Sequence, residues 1–296
     1  MIIAIGVDVD DTFAGFVHRA LEADAKFRCI NLRVAVSGAW RFDLPPAGPA
    51  TIEHAGEVLS LAPDDAYYWR PIDLSAAETD PTARRRWQAL LSGLRAWLDA
   101  VPGRVVNRPS GGDHNGSKPL HEALLRDLGL RVADSVTSSD PDVLRAFVRE
   151  GPTISKTVCG VRADAIAVTE DDFAGFDPDS GPVHLQRLTP GDDARVHVIG
   201  EQVVAPVAPA GAVDYRRAGA IARMEVVELP AALRDLLVAA TSQIGLAFAA
   251  WDFKIDPAGT WWCLEANPMP GYGPYDLRCD GAISRALRHY LDKDSP

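Results

Sequence analysis

Near the end of this 296-residue chain runs WDFKIDPAGTWWCLEANPMPGYG, residues 251–273. Two apolar-rich strands around a turn account for most of it. Asp252, Glu265 and Asn267 are the exceptions, because a strand gains nothing by setting carboxylates among large apolar side chains. If Asp252 opposes Glu265, the pairs 253:264, 254:263, 255:262 and 256:261 follow, and Pro257–Thr260 is left as a four-residue turn. Directly opposed residues share a face, and Asn267, two beyond Glu265, lies on it as well. Two carboxylates and an amide oxygen then converge. Unpaired, the like charges repel; a hard divalent cation bound through oxygens removes that penalty, and Mg2+ takes one or two carboxylates plus substrate phosphates. The competing account is a solvated outer face in a slightly different register. Cys263 shares the parity of Glu265 in this register, and its simplest role is a small core filler.

Cations stand upstream. Lys118 opens a helical stretch, and Lys156 closes a β-rich run in TISKTVCGVRAD. Lysines at element ends can grip phosphates as point charges, here with the glycine-containing turn Cys159-Gly160 offering backbone donors. Each taken alone is more simply a surface lysine. Arg195 heads the apolar strand in DDARVHVIG, where a strand-edge arginine is the plainer reading. A different chemistry is hinted at by IIAIGVDVDDT, where Asp8 and Asp10 follow an apolar strand. That resembles the opening motif of haloacid-dehalogenase-type phosphatases, with one aspartate as nucleophile and one as general acid. The later acidic pair it requires is misplaced, since TPGDDARV sets its acids before a strand, and the hairpin acids and Lys118 would be idle. Asp11 or Thr12 capping the first helix, with Asp8 in the loop before it, explains the segment more simply.

The elements that must position these groups follow from periodicity. IIAIGV leads into the helix FAGFVHRALEAD, and CINLRVAV and AYYWRP read as strands. In PTARRRWQALLSGLRAWLDAV, Trp87, Leu90, Leu91, Leu94 and Trp97 fall on one helical stripe. RVVNRP is a strand stop, and SGGDHNGS at 110–117 is a boundary loop. KPLHEALLRDLGL is a helix with Ser117 placed to cap it and Pro119 in its first turn. A second helix, in TSSDPDVLRAFVREG, precedes the strands TISKTV, VHLQRL, ARVHVIG and EQVVAPVA. PAALRDLLVAATSQIGL, the last long helix before the hairpin, completes an order of α/β first, then helix pairs and mainly antiparallel strands.

The balance of 41 acidic against 30 basic residues gives a net charge of -11, which disfavours a general nucleic-acid binder. Four scattered cysteines without a CxxC pair indicate neither a disulfide framework nor a zinc site, and suit a reducing compartment. The apolar N-terminal run is short and meets aspartates at once, and no run approaches the ~20 residues of a membrane helix. The expectation is a cytoplasmic protein with neither nucleic-acid nor membrane partner.

DF followed by LEANPMPG resembles the metal-binding end of the ATP-grasp ligases, an acidic residue and then Glu-x-Asn-Pro-x-Pro-Gly. The upstream order matches as well: a lysine before a helix, LGLRVADSVTSSDP, a second lysine, the hinge strand VHLQRL, then DARVHVIG. The similarity runs over roughly residues 105–290 and is closest to RimK-type carboxylate-amine ligases and to graspetide synthetases, the macrocyclases of ribosomal peptides. AYYWRP followed by VVNRP resembles the pre-ATP domain of the latter. The resemblance implies an α+β / α/β chain with the ATP-grasp fold: an N-terminal α/β pre-ATP-grasp domain at 1–109, a central lid subdomain at 110–178, and a C-terminal subdomain with the metal site at 179–296.

It further implies that Asp252, Glu265 and Asn267 hold two Mg2+ ions, replaceable by Mn2+, on the phosphates of ATP. Lys118 and Lys156 would contact the phosphates and the adenine side. The backbone of Arg187 and Leu188, beside Gln186, would read adenine, with Asp193 at the ribose. Arg195 and Arg216 would face the transferred phosphoryl group and the acyl phosphate, with Arg217 an adjacent competitor for the latter role. The loop KTVCGVRAD lacks the longer glycine-rich run of many relatives, and Arg162 within it could supply an extra cation. Tyr272, Tyr275 and Arg278 are expected to be exposed as a substrate wall. The implied activity is ADP-forming amide synthesis through an acyl phosphate, on small-molecule or peptide carboxylates and amines, with a homodimer compatible. The alternatives are a peptide macrocyclase making side-chain ester or amide links, and a nucleotide-binding module without turnover.

Overall fold

The computed structural model describes residues 1–23, 26–160, 165–208 and 225–292. In the first unit, Ile2–Gly6 pairs in parallel with Phe27–Asn31 on one side and Ala66–Arg70 on the other, and Val105–Val106 completes the sheet. Both inner strands are buried at every position, as a parallel sheet covered on both faces requires. One face carries the helix Pro81–Ala100, whose buried Trp87, Leu90, Leu91, Leu94 and Trp97 are the stripe read from the sequence. The other carries the helices Asp11–Glu22 and Ala282–Leu291. CINLRVAV is only half a strand: the Asn31 side chain accepts from the Arg33 N–H and starts the helical turn Leu32–Ala35. The first helix is capped by Asp10, which accepts from Thr12 N–H, rather than by Asp11 or Thr12.

The central sheet is antiparallel, in the order Ile166–Val168, Thr153–Lys156, Val183–Arg187, Ser135–Ser138. The helix Pro141–Arg149, capped by Asp140, covers one face over a small core of Leu144, Phe173 and Leu185. Val183–Arg187, which a division at 178 would assign to the C-terminal unit, lies in the middle of this sheet. The boundary loop is a run of 3-10 turns, Pro109–Gly116.

The third unit is an antiparallel sheet in the order Glu225–Val226, Pro206–Ala208, Asp192–Ile199, Phe248–Ile255, Trp261–Asn267, with Gln202–Val204 also on Asp192–Ile199. Its long central strand alternates strictly. Ala194, Val196 and Val198 join Trp251, Phe253 and Leu237 of the helix Ala231–Gln243 in the core, while Asp193, Arg195 and His197 point to the opposite face.

The hairpin departs from a straight register. Asp252 opposes Glu265 as expected, but Phe253 then faces Cys263, Lys254 faces Trp262 and Ile255 faces Trp261. Leu264 is therefore the extra residue of a β-bulge. Asp256 is the cause at the turn: its carboxylate accepts from the Ala258 and Thr260 N–H groups and from the Trp262 indole, so the turn closes from Asp256 to Thr260. The bulge sends Cys263 and Ala266 into the core with Trp251 and Phe253, and leaves Glu265 and Asn267 on the other face. Cys263 thus does not share the face of Glu265, and its role is core filling.

Candidate functional site

On the polar face of the third sheet, Arg195, Asp252 and Glu265 form one row across three adjacent strands. Arg195 is buried, with Nε 3.3 Å from Asp252 Oδ1, and its guanidinium lies over the Tyr275 ring at 5.1 Å. Burial alone would raise the Glu265 carboxyl. Its hydrogen bond with Asp252 and the fields of Lys118, Arg195 and Lys156 outweigh that and hold it below the ordinary value. Asn267 Oδ1 accepts from the Met269 N–H at 2.9 Å, leaving the second lone pair of its carbonyl. Among the described residues no group of three or more His, Cys, Asp or Glu side chains converges on a metal position. The groups that Asp252, Glu265 and Asn267 offer on this face are two carboxylates and an amide, whose oxygens would suit a hard divalent ion such as Mg2+. Asp193 sits on the same face in a buried ion pair with Lys254, Oδ1 to Nζ 2.8 Å. Lys254 was legible as a partner, since it follows Asp252 by two and so shares its face, yet sequence reasoning passed over it.

The two lysines are drawn together by the backbone. Lys118 begins the helix Lys118–Asp127, with Ser117 at the cap position although its side chain makes no capping bond. Lys118 N–H donates to Val158 O at 2.9 Å and Gly160 N–H to Gly116 O at 2.9 Å, sewing the loop after Lys156 onto the start of that helix. A side chain at Gly160 would place Cβ 2.8 Å from Asn115 O, so only glycine permits the approach. Lys156 ends its strand and donates to Gln186 Oε1 at 2.6 Å. Burial pulls the Lys156 ammonium below its ordinary value, helped by Lys118 and opposed by Glu122 and Glu265. Glu122 is buried and was missed; a glutamate inside an amphipathic helix looks like any solvated residue until its neighbours are known.

At the hinge the backbone N–H groups already have partners. Arg187 N–H donates to Asp134 O and Leu188 N–H to Pro152 O, both at 2.9 Å. Those donors are used within the central unit, so adenine recognition there would fall to carbonyl oxygens. The Arg187 side chain turns away to Glu150, at 2.6 Å, and over the Phe147 ring at 3.8 Å.

A second unforeseen group is His121, whose buried Nε2 accepts from the Ala266 N–H at 2.9 Å, between Glu265 and Asn267. Its proton therefore sits on Nδ1, 2.9 Å from Nδ1 of His114. Burial, with His114 and Lys118 adding to it, lowers His121 to about 4. With Arg131 O, which accepts from Cys263 N–H at 2.7 Å, the ring covers the outer edge of the hairpin.

The segment after the hairpin is clamped by the N-terminal unit. Arg70 donates to Pro270 O at 2.8 Å and pairs with buried Asp10, while Asn107 Nδ2 donates to Pro268 O and Phe248 O, each at 2.6 Å. Asp8, by contrast, is exposed on Arg33. The two aspartates share no site, which removes the phosphatase reading. Tyr272 and Tyr275 are buried rather than exposed, and the Tyr272 and Tyr68 hydroxyls lie 3.2 Å apart; Arg278 is exposed as expected. Beside the clamped loop opens a cavity of 380 Å³ lined by Trp69, Leu91, Arg95, Pro268 and Met269. Arg216, Arg217 and Arg162 lie outside the described residues. No described helix is long and apolar enough to cross a membrane.

No family model matches the chain, and no curated protein matches it. Solved structures do. The ATP-grasp ligase PsnB complexed with a minimal precursor is 25% identical, with a TM-score of 0.81 over 98% of this chain and 99% of that one. A further PsnB structure holds minimal precursor, Mg and ADP, at 24% identity and a TM-score of 0.78 over 98% and 97%. Macrocyclase MdnC from Microcystis aeruginosa MRC, bound with precursor peptide MdnA, is 18% identical, with 0.81 over 99% and 100%. The Chryseobacterium gregarium RiPP-associated ATP-grasp ligase, in complex with ADP and a leader and core peptide, is 16% identical, with 0.83 over 100% and 97%. All of these but the first are less than 25% identical, and for them the likeness is one of fold alone.

Proposed function

We propose that this chain, which carries the ATP-grasp fold along its whole length and has ligases as its structural relatives, joins a carboxylate to an amine of a peptide substrate with ATP. The observation that carries this reading is the row Arg195, Asp252, Glu265, whose field is shared by Lys118 and Lys156. Opposed acids and converging lysines have no structural use together, and a metal-bound triphosphate has use for both. Asp252, Glu265 and Asn267 would hold two Mg2+ ions, with Mn2+ able to substitute, and the bound ions would neutralise phosphate charge. Lys118 and Lys156 would grip the phosphates, Gln186 and the hinge would face adenine, and Asp193 the ribose. Arg195, with Arg216, would face the phosphoryl group as it transfers.

In this reaction the substrate carboxylate oxygen bonds to the γ-phosphorus while the β–γ bridging bond breaks and ADP departs. The amine then bonds to the acyl carbon, the acyl-phosphate C–O bond breaks, and phosphate leaves. Preorganised cations stabilise charge developing on the phosphoryl oxygens without reorganising. A peptide as substrate is supported by the precursor complexes of PsnB and MdnC and by the cavity that opens beside the Pro268–Met269 loop. Ring closure between side chains of one peptide, as ester or amide, is the second reading, favoured by the likeness to the macrocyclase MdnC. The free cysteines suit work in a reducing cytoplasm.

The test is ADP release from Mg·ATP by wild type and Glu265→Ala, with pools of amino acids, small carboxylates and synthetic peptides. Release that requires an added carboxylate and vanishes in the variant is the expected result, and the stimulating pool identifies the substrate class. Equal turnover by the variant would remove the hairpin acids from the site. Nucleotide binding with no stimulation by any pool would favour a binding module over a ligase.

A further inference from the structure

The central unit contains a buried ionisable cluster that the proposed chemistry does not use. Glu122, one helical turn beyond Lys118, is 2% exposed. One of its oxygens accepts from His184 Nε2 at 3.0 Å and Gln186 Nε2 at 2.8 Å, and the other from the Ser135 hydroxyl. Thr137 holds the far side of the His184 ring, Oγ1 to Nδ1 2.8 Å. His184 and Gln186 lie two apart on the hinge strand and share a face, and His184 stands directly opposite Lys156 on the neighbouring strand. The chain of bonds ends on Lys156, through Gln186 Oε1.

We infer that Glu122, held by His184 and Ser135, is a positioning residue for Lys156 and so sets the affinity of the site for the nucleotide phosphates. An ionised carboxylate only accepts hydrogen bonds, so the Gln186 amide must turn its NH2 toward Glu122. Its oxygen is thereby forced toward Lys156 and fixes the ammonium. With a neutral, non-directing residue at 122 the amide could flip and present NH2 to the lysine.

Charge matters as much as direction. Among the described residues, the ionisable groups around Lys156 include Glu122 and Lys118 from the helix, Glu265 and Cys263 from the hairpin, and His184 directly opposite on the neighbouring strand. Glu122 and Glu265 favour the ammonium, and with Glu265 engaged by a cation, as proposed, Glu122 would be the carboxylate of these two that continues to do so. A buried ion cluster rarely stabilises a fold better than well-packed apolar side chains would. Its retention beside a functional lysine is explained by what it does to that lysine.

This inference rests on the reading of Lys156 as a phosphate-gripping residue, and the test separates the two. MgADP binding is measured by titration calorimetry on wild type, Lys156→Met, Glu122→Gln and the double variant. Glu122→Gln is expected to weaken binding by about tenfold, the scale of lost outer partners at a charged site. Lys156→Met should weaken it more, and the double variant should bind no worse than Lys156→Met, because Glu122 acts only through the lysine. His184→Gln keeps the carboxylate and loosens it, and should give a smaller loss, which decides the matter if Glu122→Gln does not fold. Unchanged affinity in the folded position-122 and position-184 variants, or losses that simply add in the double variant, overturns the role of Glu122 while leaving Lys156 in place. Wild-type affinity in Lys156→Met overturns both readings.

Discussion

The central sheet and the hairpin sheet face the same site and are held by opposite means. Among the described residues, the central sheet packs a core of three buried apolar side chains, Leu144, Phe173 and Leu185, with partly buried neighbours. Toward the site it relies on hydrogen bonds among Glu122, Ser135, His184, Gln186 and Lys156. The hairpin sheet rests on a far larger core that includes Val196, Val198, Leu237, Trp251 and Phe253. Small cores open locally at lower free energy than large ones. The difference teaches a division of labour. Opposed carboxylates need a frame that does not yield, whereas Lys156, proposed to meet the nucleotide, is aimed by directional hydrogen bonds rather than by a large core.

The sharpest way to break that comparison is at Glu265. Glu265→Ala should lower ADP formation by on the order of 10²–10³-fold. Its thermal midpoint should fall only modestly, because a carboxyl held below its ordinary value by Asp252, Lys118, Arg195 and Lys156 lends the folded state some stability at neutral pH. A collapse of the fold instead would show that the acids help hold the hairpin sheet together.

Next in size is Leu185→Ala, a core truncation worth about 2–5 kcal/mol. Amide exchange should become fast in Ser135–Ser138, Thr153–Lys156 and Val183–Arg187 while Asp192–Ile199 stays protected. Simultaneous loss of protection in both sheets would mean they are one cooperative body.

Acid tests the hairpin edge. His121 is neutral when folded, at about 4, against an ordinary 6.5. Its contribution is therefore fully present above pH 6.5 and is lost progressively as pH falls toward 4, about 3 kcal/mol in all. Urea midpoints measured at pH 7 and pH 5 should diverge in wild type and draw together in His121→Gln. Smallest is Tyr272→Phe, which removes the contact to Tyr68 and should cost about 1 kcal/mol. Burial pushes the Tyr68 hydroxyl up to about 12, so that loss should be the same at pH 7 and pH 9 in denaturant titrations.

Much of the frame was legible in the residues. Period-two alternation placed Asp252, Glu265 and Asn267 on one face, and the helical stripe from Trp87 to Trp97 was buried as its spacing demanded. The order of two lysines and a hinge strand anticipated the fold. What escaped depended on contacts between distant segments. Glu122 and His121 are ordinary helix residues until a strand from elsewhere in the chain meets them. Which hinge backbone groups are already bonded was not legible either, because the acceptors of Arg187 N–H and Leu188 N–H, Asp134 and Pro152, belong to connections that no local pattern reveals. Tyr272 and Tyr275 looked like surface aromatics because their burial comes from the N-terminal unit and from Arg195.

The bulge at Leu264 bears on which metals the proposed site would admit. In a straight ladder the Cys263 sulfur would stand on the same face as Glu265, two positions away. Soft and borderline ions such as Cu(I) and Zn2+ seek thiolate, and by the usual order of affinities either would displace Mg2+ from a mixed oxygen and sulfur pocket. One extra residue turns the sulfur into the core, where burial raises the thiol well above its ordinary value and keeps it protonated. The thiol is thus withheld from the oxygen face although it lies only two residues from Glu265 in the chain.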